Sequence, residues 1–260
     1  MNTKSKIAIA ITLFSGVSYV VGATSFPGID TGTKADHILI KTHWKQMGGF
    51  EMYTPDHLRL GCWSTALAQI MFYHQLKPFG AVDYTSRHGY VIKEQIDSNT
   101  IVLGNLVPEF NLATTEAEKV ATAKYNYFAA LAVAKDFGTD SYMHKLAPAS
   151  LLEAHYNVSV KRYISWHGIL PFGTGKLKKV ICEELNAGRP LFLHFANLKD
   201  FGHSVVIDGY QWKDNQLMVH LNQGQGGAQD GWYKFDAAIL KDRDDALRVV
   251  YAIRPIKNGR

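Results

Sequence analysis

Cys62 is the residue of this chain best placed to do chemistry. It follows Gly61 and opens the run Cys62-Trp63-Ser64-Thr65-Ala66-Leu67-Ala68-Gln69-Ile70-Met71-Phe72-Tyr73-His74. Ala, Leu, Gln and Met favour a helix, and Leu67, Ile70, Met71 and His74 fall on one face of it. A thiol is nucleophilic only as thiolate; a helix N-terminus lowers its pKa and a nearby imidazolium lowers it further. Gly61 lets the backbone turn tightly into the helix. The Cys62 N–H, unpaired at the helix start, can point at a developing oxyanion.

The partner must be an imidazole from elsewhere in the chain, and eleven histidines compete. His74 lies about 18 Å down the same helix and cannot reach. His57 sits in a polar loop, where a solvated histidine is the default. Gly202-His203 stands at the mouth of an expected strand, where a rigid element can aim a ring. If that strand and Gln216–Asn222 form a hairpin around Lys213-Asp214-Asn215, Asn222 returns to within a residue or two of His203 and can orient it.

The elements that must hold these residues are legible in part. Lys77-Pro78 ends the first helix, and residues 79–112 are mixed and turn-rich. Thr115-Glu116-Ala117-Glu118 is a capping-box pattern before a helix running to about Phe137, with Gly138 as its stop. Pro148 opens a short helix near Leu151–Tyr156, and Thr174 caps another over Gly175 to Asn186. Leu191–Ala196, Ser204–Trp212, Gln216–Asn222, Gly231–Phe235 and Arg248–Arg254 then read as short strands between Gly, Asp and Asn turns. Helices followed by consecutive strands predict α+β with an antiparallel sheet.

Composition narrows the functional classes. The chain has 260 residues, 47% hydrophobic and 20% charged, enough for a substantial core. Lys4 and Lys6, the apolar run Ile7 to Val21 and the small residues Val21-Gly22-Ala23 read as a signal peptide over residues 1–23, hence a secreted or periplasmic protein. The run is shorter than the ~20 residues a spanning helix needs, so no membrane insertion is expected after cleavage. Removing it takes Lys4 and Lys6 and no acid, so the formal charge falls from +5 to +3. No basic block with interleaved aromatics points to nucleic acid. Gly224-Gln225-Gly226-Gly227 lacks the Lys-Ser/Thr ending of a phosphate loop, and no metal-ligand spacing occurs, so neither a metal nor another cofactor is expected. Tyr125, Tyr127 and Phe128 read as core. The two cysteines, Cys62 and Cys182, could form one disulfide in an oxidising compartment; the alternative is a nucleophile and a buried free thiol.

Three ordered motifs resemble the streptopain family of secreted papain-like cysteine proteases: the Cys62 run, Gly202-His203-Ser204-x-Val206-Ile207-Asp208-Gly209, and His220-x-Asn222-x-Gly224-x-Gly226-Gly227-x-x-Asp230-Gly231-Trp232-Tyr233. The resemblance covers most of Trp44 to Ile253. It implies a papain-like fold with a helical lobe, an antiparallel sheet lobe and the active-site cleft between them, in a catalytic domain over residues 44–260. It implies Cys62 as nucleophile, His203 as general base and acid, and Asn222 as the residue orienting the histidine. Trp44-x-Gln46 matches a family element, which makes Gln46 a side-chain donor to the oxyanion beside the Cys62 amide. Asp208 is expected in a turn or strand-end hydrogen bond. Two departures stand out. Gln223 and Gln225 occupy positions where the family usually has tryptophans that cover the site. The lead segment over residues 24–43 is too short for the usual inhibitory propeptide, so the enzyme is made active, a separate inhibitor restrains it, or it is not a general protease. The expected substrates are proteins or peptides. Amidase or transglutaminase-like acyl transfer at the same site, or a pseudo-protease acting as a binding protein, are the alternatives.

Overall fold

The first helix, α1 (Cys62–Tyr73), is buried along its first ten residues, Cys62 to Met71, and carries no charged side chain. A helix that is apolar all round belongs in the middle of a molecule, and α1 lies against one face of a six-stranded antiparallel sheet. The structure is a computed structural model, and it describes residues 38–139, 148–166, 174–197, 199, 201–237, 239 and 246–256. The signal-peptide segment and most of the lead segment fall outside these residues. The sheet comprises β3 (Val158–Ser165), β4 (Leu191–Ala196), β5 (Gly202–Lys213), β6 (Gln216–Asn222), β7 (Gly231–Lys234) and β8 (Leu247–Pro255), in the order β3-β8-β4-β5-β6-β7. The α+β class with an antiparallel sheet is as expected. Among the described residues no helix is long and apolar enough to cross a membrane.

Side chains alternate across the strands and feed two cores. Phe192, Val206, Val249 and Tyr251 pack on the α1 side with Trp44, Phe50, Leu67, Tyr125 and Phe128. Leu191, Leu193, Val205, Ile207 and Val250 face the other way, onto Leu177, Ile181 and Cys182 of α4 (Thr174–Asn186). The helices are therefore not confined to one lobe: α4 covers the far face of the sheet, while α2 (Glu116–Ala132) packs with α1.

Three elements depart from expectation. The turn-rich region contains the hairpin β1 (Gly80–Thr85) and β2 (Val91–Ile96), and β3 follows α3 (Ala149–His155). The helix predicted to run to Phe137 ends at Ala132, with Ala134 at φ 46°. Tertiary demand ends it early. The Asp136 carboxylate takes the Arg87 backbone N–H at 2.8 Å and its Nε at 2.6 Å, so the chain must leave the helix to reach the β1–β2 turn. The capping box at the other end forms as read, between Thr115 and Glu118.

Candidate active site

Gly61 sets the start of α1. Its φ of 88° and ψ of 148° lie in a region essentially reserved for glycine, and no side chain caps the helix after it. The first-turn N–H groups are thus left for another acceptor, with Cys62 among them. The segment before α1 is fixed in turn. Trp44 is fully buried and donates its indole N–H to the Val107 carbonyl at 2.8 Å. Gln46, 6% exposed, accepts the Leu60 N–H on its backbone carbonyl at 3.1 Å. That bond sets Gln46 beside the chain that turns into Cys62.

From the other side β5 delivers His203. Cys62 and His203 are hydrogen-bonded, and each moves the other's proton. Burial alone would raise the Cys62 thiol, but the bond to His203, its charge and hydrogen bonds from Ser204 outweigh burial and hold the pKa below the ordinary thiol value. Burial likewise opposes charging His203, yet Cys62 and the Gln223 carbonyl raise its pKa above the ordinary imidazole value. Opposite shifts within one contact favour the thiolate–imidazolium pair.

The ring's second nitrogen, Nε2, lies 3.2 Å from the Gln223 backbone carbonyl. This corrects the expected contact with Asn222. The turn uses only Asp214 and Asn215, both at positive φ, and pairs Lys213 with Gln216. A bulge between Ile207 and Gly209 offsets this shorter turn, and Asn222 stands opposite Val206, three residues along β5 from His203. The Asn222 side chain instead ties elements together. Its Oδ1 accepts from Gln69 Nε2 at 2.9 Å and from the Gly224 N–H at 3.1 Å, while its Nδ2 donates to the Thr42 carbonyl at 2.8 Å. Thr42 closes the buried set by donating to Gln69 Oε1 at 2.8 Å.

The loop after β6 is pinned on several sides. Asp230 Oδ1 accepts the Gln223 N–H at 2.7 Å, and Gln225 bridges to Lys45. Gly224, at φ 64°, passes so close to α1 that a Cβ there would meet Thr65 Cγ2 at 3.2 Å. Of the two glutamines that replace expected tryptophans, Gln223 is buried and Gln225 exposed.

The remaining candidates separate cleanly. Cys62 and Cys182 are both free, on opposite sides of the sheet, so the disulfide alternative fails. Burial pushes the Cys182 thiol up to about 11. His74 caps the far end of α1, and His57 lies on an exposed turn. Tyr125, Tyr127 and Phe128 are core. Asp208 is more than a turn residue: it is fully buried at the bulge, with Oδ1 2.6 Å from His220 Nδ1. Sequence reasoning gave no role to Ser204, His194, Gln69, Asp230 or the Gln223 backbone. Four of these lie inside the quoted motifs, but their roles depend on a register that the motifs do not show.

Fold and site together define an α+β protein built around a paired thiol and imidazole. Residues 44–233 match the model of the peptidase C10 family, and the chain belongs to that family. It is 26% identical over 201 residues to streptopain of Streptococcus pyogenes, covering 73% of this chain and 48% of that protein. The chain thus spans about half the length of the curated relatives it matches. Among solved structures, the active wild-type interpain A cysteine protease of Prevotella intermedia superposes with a TM-score of 0.65 at 23% identity, over 82% of this chain and 92% of that one. A prointerpain A fragment from the same organism gives 0.66 at 21%, over 86% and 72%. At these identities the two structures speak for the fold.

Proposed function

We propose that the chain is a secreted cysteine endopeptidase with a papain-like arrangement, acting on proteins or peptides. Residues 1–23 serve as signal peptide, 24–43 as a short lead and 44–260 as the catalytic domain. The observation that carries the reading is the hydrogen-bonded Cys62–His203 pair at an uncapped helix start, with the thiol lowered and the imidazole raised.

In the reaction, the Cys62 thiolate attacks the scissile carbonyl carbon and the carbonyl electrons move onto oxygen. The Cys62 N–H and the Gln46 side-chain amide hold that oxyanion. As the tetrahedral species collapses, His203 gives its proton to the leaving amine, and a thioester remains on Cys62. His203, now neutral, takes a proton from water, whose oxygen attacks the thioester and expels the thiolate. The Gln223 carbonyl steadies the ring through both proton transfers, and Asn222 braces the loop that carries it.

The test is hydrolysis of an unfolded protein substrate by the purified protein. Cys62→Ala abolishes cleavage, and Cys182→Ala leaves it intact. Cleavage that survives Cys62→Ala would remove the reading. Incorporation of a primary amine in place of hydrolysis would redirect it to acyl transfer.

A further inference from the structure

Cys62 has a second polar neighbour on β5. Ser204 follows His203 directly on β5, and its hydroxyl and N–H both act to hold the Cys62 thiol down. By strand alternation it shares the α1-facing side with Val206. Directly across the ladder is His194 on β4, on the same face as Phe192. The Ser204 Oγ lies 2.9 Å from His194 Nδ1, and both residues are essentially sealed from solvent, at 1% and 0% exposure.

Hydrogen counting fixes the direction of this chain. A serine hydroxyl has one proton to give. When it points at a thiolate, which only accepts, the Ser204 oxygen is left as an acceptor toward His194, whose Nδ1 must then carry the hydrogen. The opposite tautomer would draw the Ser204 proton away from the sulfur. α1 itself contributes no charged side chain, so the groups acting on Cys62 are His203 and Ser204 from β5, with His194 behind Ser204 on β4.

We propose that His194 and Ser204 form a second donor line to the nucleophile, in which His194 Nδ1–H holds the Ser204 oxygen and the Ser204 O–H stabilises the Cys62 thiolate. Ser204 is then a catalytic residue that touches the reacting sulfur, and His194 a positioning residue that acts through it. The inference rests on the reading of Cys62 as nucleophile. No proton is transferred along this line: it favours the thiolate before attack, releases it as negative charge leaves sulfur, and receives it again when the thioester is hydrolysed.

The test is the pH dependence of Cys62 alkylation by iodoacetamide in the full chain, followed by peptide mass spectrometry. Ser204→Ala shifts the midpoint of thiolate formation upward by about one pH unit, so alkylation below that midpoint slows about three- to fourfold, the tenfold loss of thiolate being partly offset by its greater nucleophilicity. Ser204→Thr keeps the hydroxyl and the wild-type midpoint. His194→Asn, which retains a donor near the Nδ1 position, stays close to wild type, and His194→Phe moves toward Ser204→Ala. The Ser204 pair alone decides the matter if His194→Phe fails to fold. An unmoved midpoint in Ser204→Ala, or an equal shift in Ser204→Thr, overturns the proposal. If wild type itself forms no thiolate below the ordinary cysteine range, or His203→Ala leaves its midpoint unchanged, the nucleophile reading falls instead.

Discussion

The two free thiols allow an internal comparison of what burial and charge each do to a cysteine. Both are nearly sealed, Cys62 at 5% exposure and Cys182 at 2%, so access to a small reagent differs little between them. Their electrostatics differ in sign: burial pushes Cys182 up to about 11, whereas His203 and Ser204 overcome burial at Cys62. At about pH 6 a thiol of that pKa is ionised in roughly one molecule per hundred thousand. Even an ordinary thiol of pKa about 8.5 would be ionised some 300-fold more often. The weaker thiolate loses about 10–18-fold in intrinsic nucleophilicity over that interval, leaving a net advantage of at least roughly 20-fold. Because the ionised fraction grows faster than nucleophilicity falls, lowering the Cys62 thiol widens the gap until it is mostly ionised. Native protein treated with iodoacetamide and mapped by mass spectrometry should therefore label Cys62 at least that much faster, and label both equally after denaturation. Equal native rates, or faster labelling of Cys182, would refute the argument that His203 and Ser204 outweigh burial.

Two further outcomes concern the scaffold. Glu184, with its side chain 2% exposed, accepts Arg189 Nε at 2.5 Å and Arg254 Nε at 3.0 Å, tying α4 to β8. Burial would raise its pKa, but the two guanidiniums hold it below the usual carboxylate range. A depressed folded pKa contributes stability above the unfolded value of about 4.3, lost as pH falls through the folded pKa. Near neutral pH, Glu184→Gln should lower Tm by roughly 4–8 °C, from about 2 kcal/mol. That is less than a fully buried pair would lose, because the Arg189 and Arg254 side chains are 30% and 49% exposed. The gap should shrink in strongly acidic buffer, and a gap that persists there would assign the effect to packing. Near the site, Asp230→Ala should lower kcat about tenfold with little change in KM, because Gln223 loses the acceptor that fixes its backbone. Asp230→Asn, which still offers an oxygen to that N–H, should be largely spared; equal damage in both variants would discard this role.

How much of this was legible in sequence depends on the range of the interaction. Cys62 and His203 each sit at the start of an element announced by a neighbouring glycine, but that local signal is weak alone, and the three ordered motifs are what single them out together. The bounds of β4 and β6 were read correctly from short β-branched and aromatic runs between turn residues. The β1–β2 hairpin escaped because Val91 to Ile96 is mostly exposed and carries the polar run Lys93-Glu94-Gln95, with only Ile92 and Ile96 buried. The end of α2 escaped because Asp136 answers to Arg87, far away in the chain. Asn222 was assigned to the wrong neighbour because β6 ends opposite Val206, three residues beyond His203, and it is the loop after β6 that reaches the ring. The Ser204–His194 contact exists only once the register of β4 against β5 is known.

The same loop bears on the two glutamines. If the residue orienting His203 acted through its side chain, replacing an indole at position 223 would remove the orientation along with the cover. The structure places a backbone carbonyl at Nε2, and a carbonyl is offered by any residue that holds the same backbone conformation. What must be preserved is therefore the path of the loop. Here that path is held by the Asp230 acceptor, the Asn222 bond to the Gly224 N–H and the close passage of Gly224 over Thr65. Gln223 is still 1% exposed, so residue 223 remains packed into the site. The substitution thus changes the polarity beside the imidazole without undoing its geometry, and its effect should fall on the pH range of His203 more than on the alignment of His203 with Cys62.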